Sequence, residues 1–288
     1  MAKIQHNGLI RDFDLKSPSV SIGYKFLLVF GAIVSFFGIA PLIWMILSGF
    51  KDVREFVAET NILPKSFSLE GYISTWERLR FVTYYINSLI SVTGSVVCAV
   101  FFNGLLGYAI SKVKPAGSNV IYGLVLWSML IPATISVVPL YINITRIGLT
   151  GTFIPLWLAV GANAFFVILF KNFFDELPQS LIEAAQIDGA KNFTIFMKIA
   201  VPLSKPIIMV IIIYAINAAW SDFLMPYLVL SQTNLETVMV RLFGFRMSRS
   251  NDIDIIRALV FSVIPPIILY IIFQKQISGM ALQSGIKG

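Results

Sequence analysis

The stretch FLLVFGAIVSFFGIAPLIWMILSGF, residues 26–50, contains no charged side chain. At 1.5 Å per residue, a helix of this length is longer than the roughly 30 Å hydrocarbon thickness of a bilayer. The stretch lacks the small-residue cleavage site that follows a secretory signal. We therefore interpret it as a retained membrane span.

Similar charge-poor stretches recur along the rest of the chain. We predict five further spans, at residues 86–110, 120–143, 153–173, 206–230 (interrupted by Asp222) and 255–273. None alternates as a membrane barrel strand does, and helices satisfy their backbone hydrogen bonds inside lipid. The expected fold class is an all-α membrane protein with six transmembrane helices.

Composition supports lipid as the solvent and excludes several functions. The chain has 57% hydrophobic and 13% charged residues. Soluble domains have about 45–50% apolar and about 25% charged residues. Its net charge is +7, but the Lys and Arg residues flank apolar stretches and form no nucleic-acid-binding stripe. A single histidine, His6, and a single cysteine, Cys98, leave no basis for a triad, a metal site or a disulfide. No Gly precedes a Lys, so a phosphate-binding loop is absent and any ATP is expected on another chain.

Charge places the N-terminus on the cytoplasmic side. The division of Lys and Arg between the two sides is nearly even, and Lys112 and Lys114 in a short loop favour this orientation. The predicted organisation is a cytoplasmic segment at 1–25, a membrane domain at 26–273 and a cytoplasmic tail at 274–288.

The polar segment between spans four and five, residues 174–205, has its own pattern: FDELPQSLIEAAQIDGAKNFTIFMKIAVPLSK. Pro178 suits a first helical turn, and Gly189 suits a helix end with positive φ. Asn192 can cap a second helix, whose apolar face would hold Phe193, Phe196 and Met197. This predicted helix–turn–helix fits either docking into a partner's groove or lying on the bilayer.

Specific motifs point to a family. The residues Glu183-Ala184-Ala185, Asp188-Gly189-Ala190, Pro202 and Pro206 resemble the EAA loop of ABC importer permeases. Further matches resemble carbohydrate-uptake permeases of the maltose type, in particular their second membrane subunit: Ser48-x-Phe50-Lys51, Leu63-Pro64, Asn87-Ser88-Leu89, Gly148-Leu149-Thr150-x-Thr152, Trp220-Ser221-Asp222-Phe223-x-x-Pro226 and Gly285-Ile286-Lys287-Gly288. The family more often has Asn in place of Ser221.

The resemblance implies a non-enzymatic subunit of a bacterial inner-membrane importer. Its implied partners are a second permease subunit, an ATPase dimer, an extracytoplasmic solute-binding protein and membrane lipid. ATP and Mg would bind to the ATPase, and this chain would bind no cofactor. The tail at 274–288 would also enter the ATPase dimer. The implied ATPase-coupling residues are Glu183, Ala184, Asp188, Gly189, Phe193, Phe196 and Pro202.

Polar residues inside spans are candidates for the substrate path. We select Asn163, Asn217 and Asp222, with Trp220 as a side chain that could stack on a sugar ring. Equally, asparagines such as Asn103 can bond across helices, and Asp222 can be solvated near the outer interface. An oligosaccharide is the expected cargo. A polyol or glycerol phosphate is the alternative, and a stand-alone secondary transporter, which should carry more intramembrane carboxylates, is less favoured.

Overall fold

The computed structural model describes residues 18–247 and 251–286, with side chains from 20 to 247 and from 251 to 274. The described chain is almost entirely helical, without a strand. In order, the α-helices are α1 Pro18–Gly49, α2 Val53–Ala58, α3 Glu70–Arg78, α4 Phe81–Cys98, α5 Gly104–Tyr108, α6 Ser118–Ser128, α7 Ala133–Arg146, α8 Ile154–Gly161, α9 Ala164–Asp175, α10 Gln179–Ile187, α11 Asn192–Ile195, α12 Val201–Leu203, α13 Lys205–Ser221, α14 Leu224–Leu230, α15 Val238–Met247 and α16 Asp252–Ile286. π-Helical turns connect some of them, at Ala99–Asn103, Ala109–Val113 and Phe196–Ala200.

Among the described residues, three helical stretches are long and apolar enough to cross a membrane. These are Val20–Gly49, Phe81–Val113 and Asp252–Gln274. Three further spans are possible if each of three bent helix pairs counts as one, with bends of 108° for α6 and α7, 43° for α8 and α9, and 84° between Asn192–Leu203 and α13. Three of the six predicted spans thus match continuous helices, and two match bent pairs. The third bent pair joins α13 to part of the predicted coupling segment and not to α14.

Two predicted spans differ in detail from the structure. Residues 120–143 form two helices because the chain turns at Pro132, which lacks an amide hydrogen and is extended, with ψ 127°. Residues 206–230 also form two helices, α13 and α14. Asp222 leaves helical geometry, with ψ 126°, and its carboxylate accepts a bond from the Met225 amide.

The ends of the chain also differ from expectation. Helix α1 begins at Pro18, so the predicted N-terminal segment 1–25 is partly helical, and residues 1–17 lie outside the described part. At the other end, the backbone of α16 continues as a helix to Ile286, so the predicted tail at 274–288 is helical where it is described. Lys287 and Gly288 lie outside the described residues.

The chain forms two compact units. The first comprises residues up to Ile73 together with Asn251–Val260. In it, the Arg257 guanidinium donates to the Gly49 carbonyl at 2.7 Å and the Lys51 carbonyl at 2.8 Å, and pairs with Asp254 at 3.0 Å. These bonds satisfy carbonyls that the end of α1 would leave without partners. Tyr72 donates to the Ile46 carbonyl at 2.8 Å, and burial raises the pKa of this phenol to about 12, which keeps it a donor.

The second unit comprises 74–250 and the residues from Phe261 onward. Its main apolar core joins α5, α9, α10 and the Phe196–Ala200 turn, with Phe170, Phe174, Ile182, Ile195 and Phe196 almost completely buried. Helices α5 and α9 approach closely at Gly107, where a Cβ atom would lie 2.7 Å from that of Phe170. Small residues at such crossings are typical of helix pairs in membranes.

Candidate coupling surface and substrate path

The predicted coupling segment folds as α10, a turn, and α11 followed by the π-helical turn and α12. Gly189 has φ +80°, and a Cβ built on it meets no atom within 4 Å. The Ala190 amide donates to the Ala185 carbonyl at 2.9 Å, and the Gly189 amide to the Gln186 carbonyl at 3.0 Å. This is the Schellman arrangement, which requires a left-handed residue after the helix. Gly189 is therefore required here by backbone conformation and not by space.

Most of the predicted coupling residues lie on the surface of the chain. Exposed side chains or backbone are found at Glu183, Ala184, Asp188, Gly189, Phe193 and Pro202. Apolar side chains are exposed beside them: Ile187 is 86% and Phe193 55% accessible. Apolar residues this accessible at a sharp turn form a surface that a partner or a lipid could cover.

Phe196 departs from the prediction. It was expected to share one exposed face with Phe193 and Met197, but it is only 1% accessible and packs against Tyr108 and Phe174 at ring-centroid distances of 5.4 and 6.5 Å. The rings of Phe193 and Phe196 are still neighbours, with centroids 6.4 Å apart, so the apolar face runs from the surface at Phe193 into the core at Phe196. Phe196 thus anchors the segment to the chain's own core.

A polar cluster at the base of the segment was not identified from the sequence. Asp175 accepts a bond from the Ser111 hydroxyl at 2.6 Å and pairs with Lys171 at 2.6 Å. Lys112 donates to the Leu177 carbonyl at 2.7 Å. The spacing of Lys171 and Asp175, one helical turn apart, was the only signal for it in the sequence. This cluster connects the ends of two helices to the first residues of the coupling segment.

Two of the substrate-path candidates, Asn163 and Asp222, line the same cavity. It has a volume of about 400 Å³ and lies among α4, α8, α13 and α14. The side chain of Asn163 also accepts a bond from the Phe166 amide at 3.1 Å, which caps α9. The path residues at 163 and 222 are thus close in space although far apart in the chain.

The other two candidates lie elsewhere. Asn217 is exposed and lines a mostly apolar cavity of about 270 Å³ between α13 and α16. Trp220 borders this cavity but is 5% accessible, donates to the Ser262 carbonyl at 3.1 Å and packs edge-on against Tyr85. In this conformation its ring is occupied by packing, so the expectation that it stacks on a sugar is not supported.

Asn103, the asparagine named above as an example of bonding across helices, does bond in this way. It is 1% accessible, donates to the Ala99 and Val160 carbonyls at 2.8 and 3.0 Å, and accepts from the Asn163 amide at 2.9 Å. Its three partners satisfy most of the bonds an amide side chain can make. Asn103 therefore holds the break between α8 and α9 in place.

These features, apolar helices with broken spans and an exposed helical turn, are those of a membrane protein with several spans. The sequence matches the model of the family described as binding-protein-dependent transport system inner membrane component over residues 103–279, more than half of the chain. The chain belongs to this family of inner-membrane transport subunits.

Individual relatives are similar in sequence along most of the chain. It is 26% identical to the diacetylchitobiose uptake system permease protein of Streptomyces coelicolor, over 91% of this chain and 87% of the relative. It is 30% identical to a probable ABC transporter permease protein of Bacillus subtilis, over 86% and 83% respectively, and 28% identical to an arabinooligosaccharides permease of that organism, over 94% and 99%. The resemblance to ABC importer permeases is thus confirmed.

A solved structure supports the fold. The crystal structure of a bacterial ABC transporter involved in the import of the acidic polysaccharide alginate contains a chain that matches with a TM-score of 0.81 and 24% identity, over 90% of this chain and 98% of that one. The match confirms the permease fold.

Proposed function

We propose that this chain is a membrane-spanning subunit of an ATP-driven, solute-binding-protein-dependent importer of oligosaccharides in a bacterial inner membrane. It would form the translocation path with a second permease subunit and be driven by an ATPase dimer that binds ATP and Mg. The family match over residues 103–279 carries the proposal, because it covers the third to sixth predicted spans and the exposed turn. Permeases for diacetylchitobiose and arabinooligosaccharides among the relatives favour an oligosaccharide cargo.

The ATPase would contact the coupling surface, which we define as Glu183, Ala184, Asp188, Gly189, Phe193, Ile187 and Pro202. These residues are exposed on a segment whose opposite face is anchored by Ile182, Ile195 and Phe196. A segment anchored in this way can transmit motion as a unit when a partner pulls on it. Glu183 would provide the charge for a basic partner residue, and Phe193 the apolar contact.

Contact with a cytoplasmic ATPase also determines orientation. It would place residues 174–205, the N-terminus and the C-terminal tail on the cytoplasmic side. Residues 51–80 and 231–250 would then face the extracytoplasmic solute-binding protein. Asn163 and Asp222 would line the translocation path within the membrane.

Glu183→Ala and deletion of residues 188–190 test the coupling role. The complete complex is reconstituted in vesicles with its partner subunits, and ATP-driven saccharide uptake is measured. We expect both variants to remain in the membrane but to lose uptake, the deletion almost completely, because its turn connects the two halves of the coupling surface. Gln186→Ala, on the same helix and equally exposed, serves as the control.

Co-purification in detergent provides the second readout. The wild-type chain should retain an ATPase subunit, and the deletion variant should lose it. Uptake at the wild-type rate by the deletion variant would disprove the coupling assignment. Uptake driven by an ion gradient without any ATPase would instead identify a secondary transporter.

A further inference from the structure

The cavity shared by Asn163 and Asp222 contains one ionisable side chain, that of Asp222, among lining residues that are mostly apolar. Five of its lining residues have polar side chains, namely Ser91, Ser95, Asn163, Ser221 and Asp222. The other lining residues are apolar. None of the described residues that line it is basic. The volume of about 400 Å³ is large enough for a sugar ring.

Asp222 retains hydrogen-bonding capacity toward this cavity. Its Oδ1 atom accepts a long bond from the Met225 amide at 3.4 Å, and the Leu224 amide is a further donor to this carboxylate. Within the described part of the chain no salt bridge to Asp222 is formed. A carboxylate has about four lone-pair sites, so part of its capacity remains for a ligand that donates hydrogen bonds.

Ser95 is a second, independent indication of a ligand. Its side chain is 1% accessible, its Oγ atom has no hydrogen-bond partner, and it lines the same cavity as Asp222. Buried hydroxyls are almost always satisfied, because an unsatisfied one loses its bonds to water without replacement. A polyhydroxyl compound in the cavity would supply the missing partner.

We propose that this cavity makes the path selective for uncharged saccharides and rejects uronates, an assignment that rests on the function proposed above. Hydroxyl groups of a neutral sugar would donate to Asp222 and exchange bonds with Ser95 and Asn163. An anionic sugar would bring a second negative charge close to Asp222 in a medium that screens poorly. The acidic cargo of the transporter with the similar fold does not carry over to this chain, because the fold does not determine the charge of this cavity.

The charge of the cavity is tested first, without any cargo. In a Cys98→Ala background, Ala159→Cys places a thiol on α8 in the lining of the cavity, at an exposed position. The purified complex is treated with cationic and anionic methanethiosulfonate reagents of similar size. We expect the cationic reagent to be favoured by about tenfold, and Asp222→Asn to remove this preference. Asp252→Asn, which makes the same change at an exposed acid, should leave it intact.

Cargo selectivity is tested second, in vesicles that contain the full complex and its solute-binding protein. Labelled malto-, arabino- and chito-oligosaccharides are compared with an oligogalacturonate. We expect ATP-driven uptake of at least one neutral saccharide, none of the oligogalacturonate, and a loss of about tenfold or more in neutral uptake for Asp222→Ala. Co-purification of the ATPase with the Asp222→Ala chain shows that assembly is intact.

The outcomes separate the two proposals. If no saccharide is taken up with ATP by the wild-type complex, the importer function fails. If uptake occurs but Asp222→Ala leaves it unchanged, or the wild-type complex transports the oligogalacturonate, the importer function stands and the neutral-cargo assignment is overturned. An unchanged reagent preference in Asp222→Asn would overturn it as well.

Discussion

Single residues in this chain are constrained either by the backbone conformation or by the buried hydrogen bonds that their side chains make. Gly189 has positive φ in open space, so only its backbone restricts the choice of residue. Arg257 is restricted by its partners, because its guanidinium holds two carbonyls at the end of α1. Gly189 is thus constrained by backbone conformation and Arg257 by its buried partners. Substitutions at the two positions should show these two effects separately.

Gly189→Ala should destabilise the turn by about 1 kcal/mol, because a Cβ atom disfavours left-handed backbone. Gly189→Asn should cost less, since Asn tolerates this conformation. Gly123→Ala, at a helical glycine with equally open surroundings, should be neutral or stabilising. Thermal unfolding of the purified complex measures all three, and equal effects of Ala at positions 189 and 123 would contradict the explanation.

Arg257→Met should destabilise the protein by about 3 kcal/mol, because it leaves buried carbonyls and the Asp254 carboxylate without this partner. Arg54→Met, at an exposed arginine of the same unit, should change stability by less than about 0.5 kcal/mol. The readout is the unfolding midpoint in detergent. A similar midpoint for both variants would show that the carbonyl contacts contribute little.

At the scale of elements, the coupling segment depends on the polar cluster at its base. Asp175 bonds to Ser111 and Lys171, so it joins the end of α9 to the end of the span Phe81–Val113. Lys112 holds the Leu177 carbonyl, the residue before Pro178. These bonds connect the coupling segment to two helices at once. A movement of the segment would therefore be passed to both helices.

Asp175→Asn should loosen this connection, because the neutral amide loses the charge-assisted bond to Lys171. We expect faster hydrogen exchange of the amides in residues 177–190 and weaker ATP-driven uptake, by a factor of a few. Glu70→Gln, the same chemical change at an exposed site, should alter neither. Unchanged exchange in Asp175→Asn would show that the apolar anchor of Ile195 and Phe196 is sufficient.

At the scale of the whole molecule, the proposed orientation predicts which loops can be reached from each side of the membrane. In a Cys98→Ala background, Ser66→Cys should react with an impermeant maleimide in intact spheroplasts, because we propose that residues 51–80 are extracytoplasmic. Ser180→Cys should react only after permeabilisation. Both serines are exposed in the structure, so the reverse pattern would invert the proposed orientation.

The sequence alone determined the solvent of this protein and most of its helices. Charge-free stretches such as residues 26–50 can only be buried in lipid or protein, and backbone bonding there requires helices. The positive φ of Gly189 and the exposure of Glu183 also followed from local pattern, because a helix end and a polar turn are local features.

Only the tertiary structure decided which residues share a site. It buried Phe196 against Tyr108 and Phe174, used the Trp220 ring in packing, and broke the predicted spans at Pro132 and Asp222. It also brought Asn163 and Asp222 to one cavity with an unsatisfied serine. Helical periodicity predicts one face of one regular helix, whereas a cavity depends on how several bent helices pack, and that packing is not a local property of the chain.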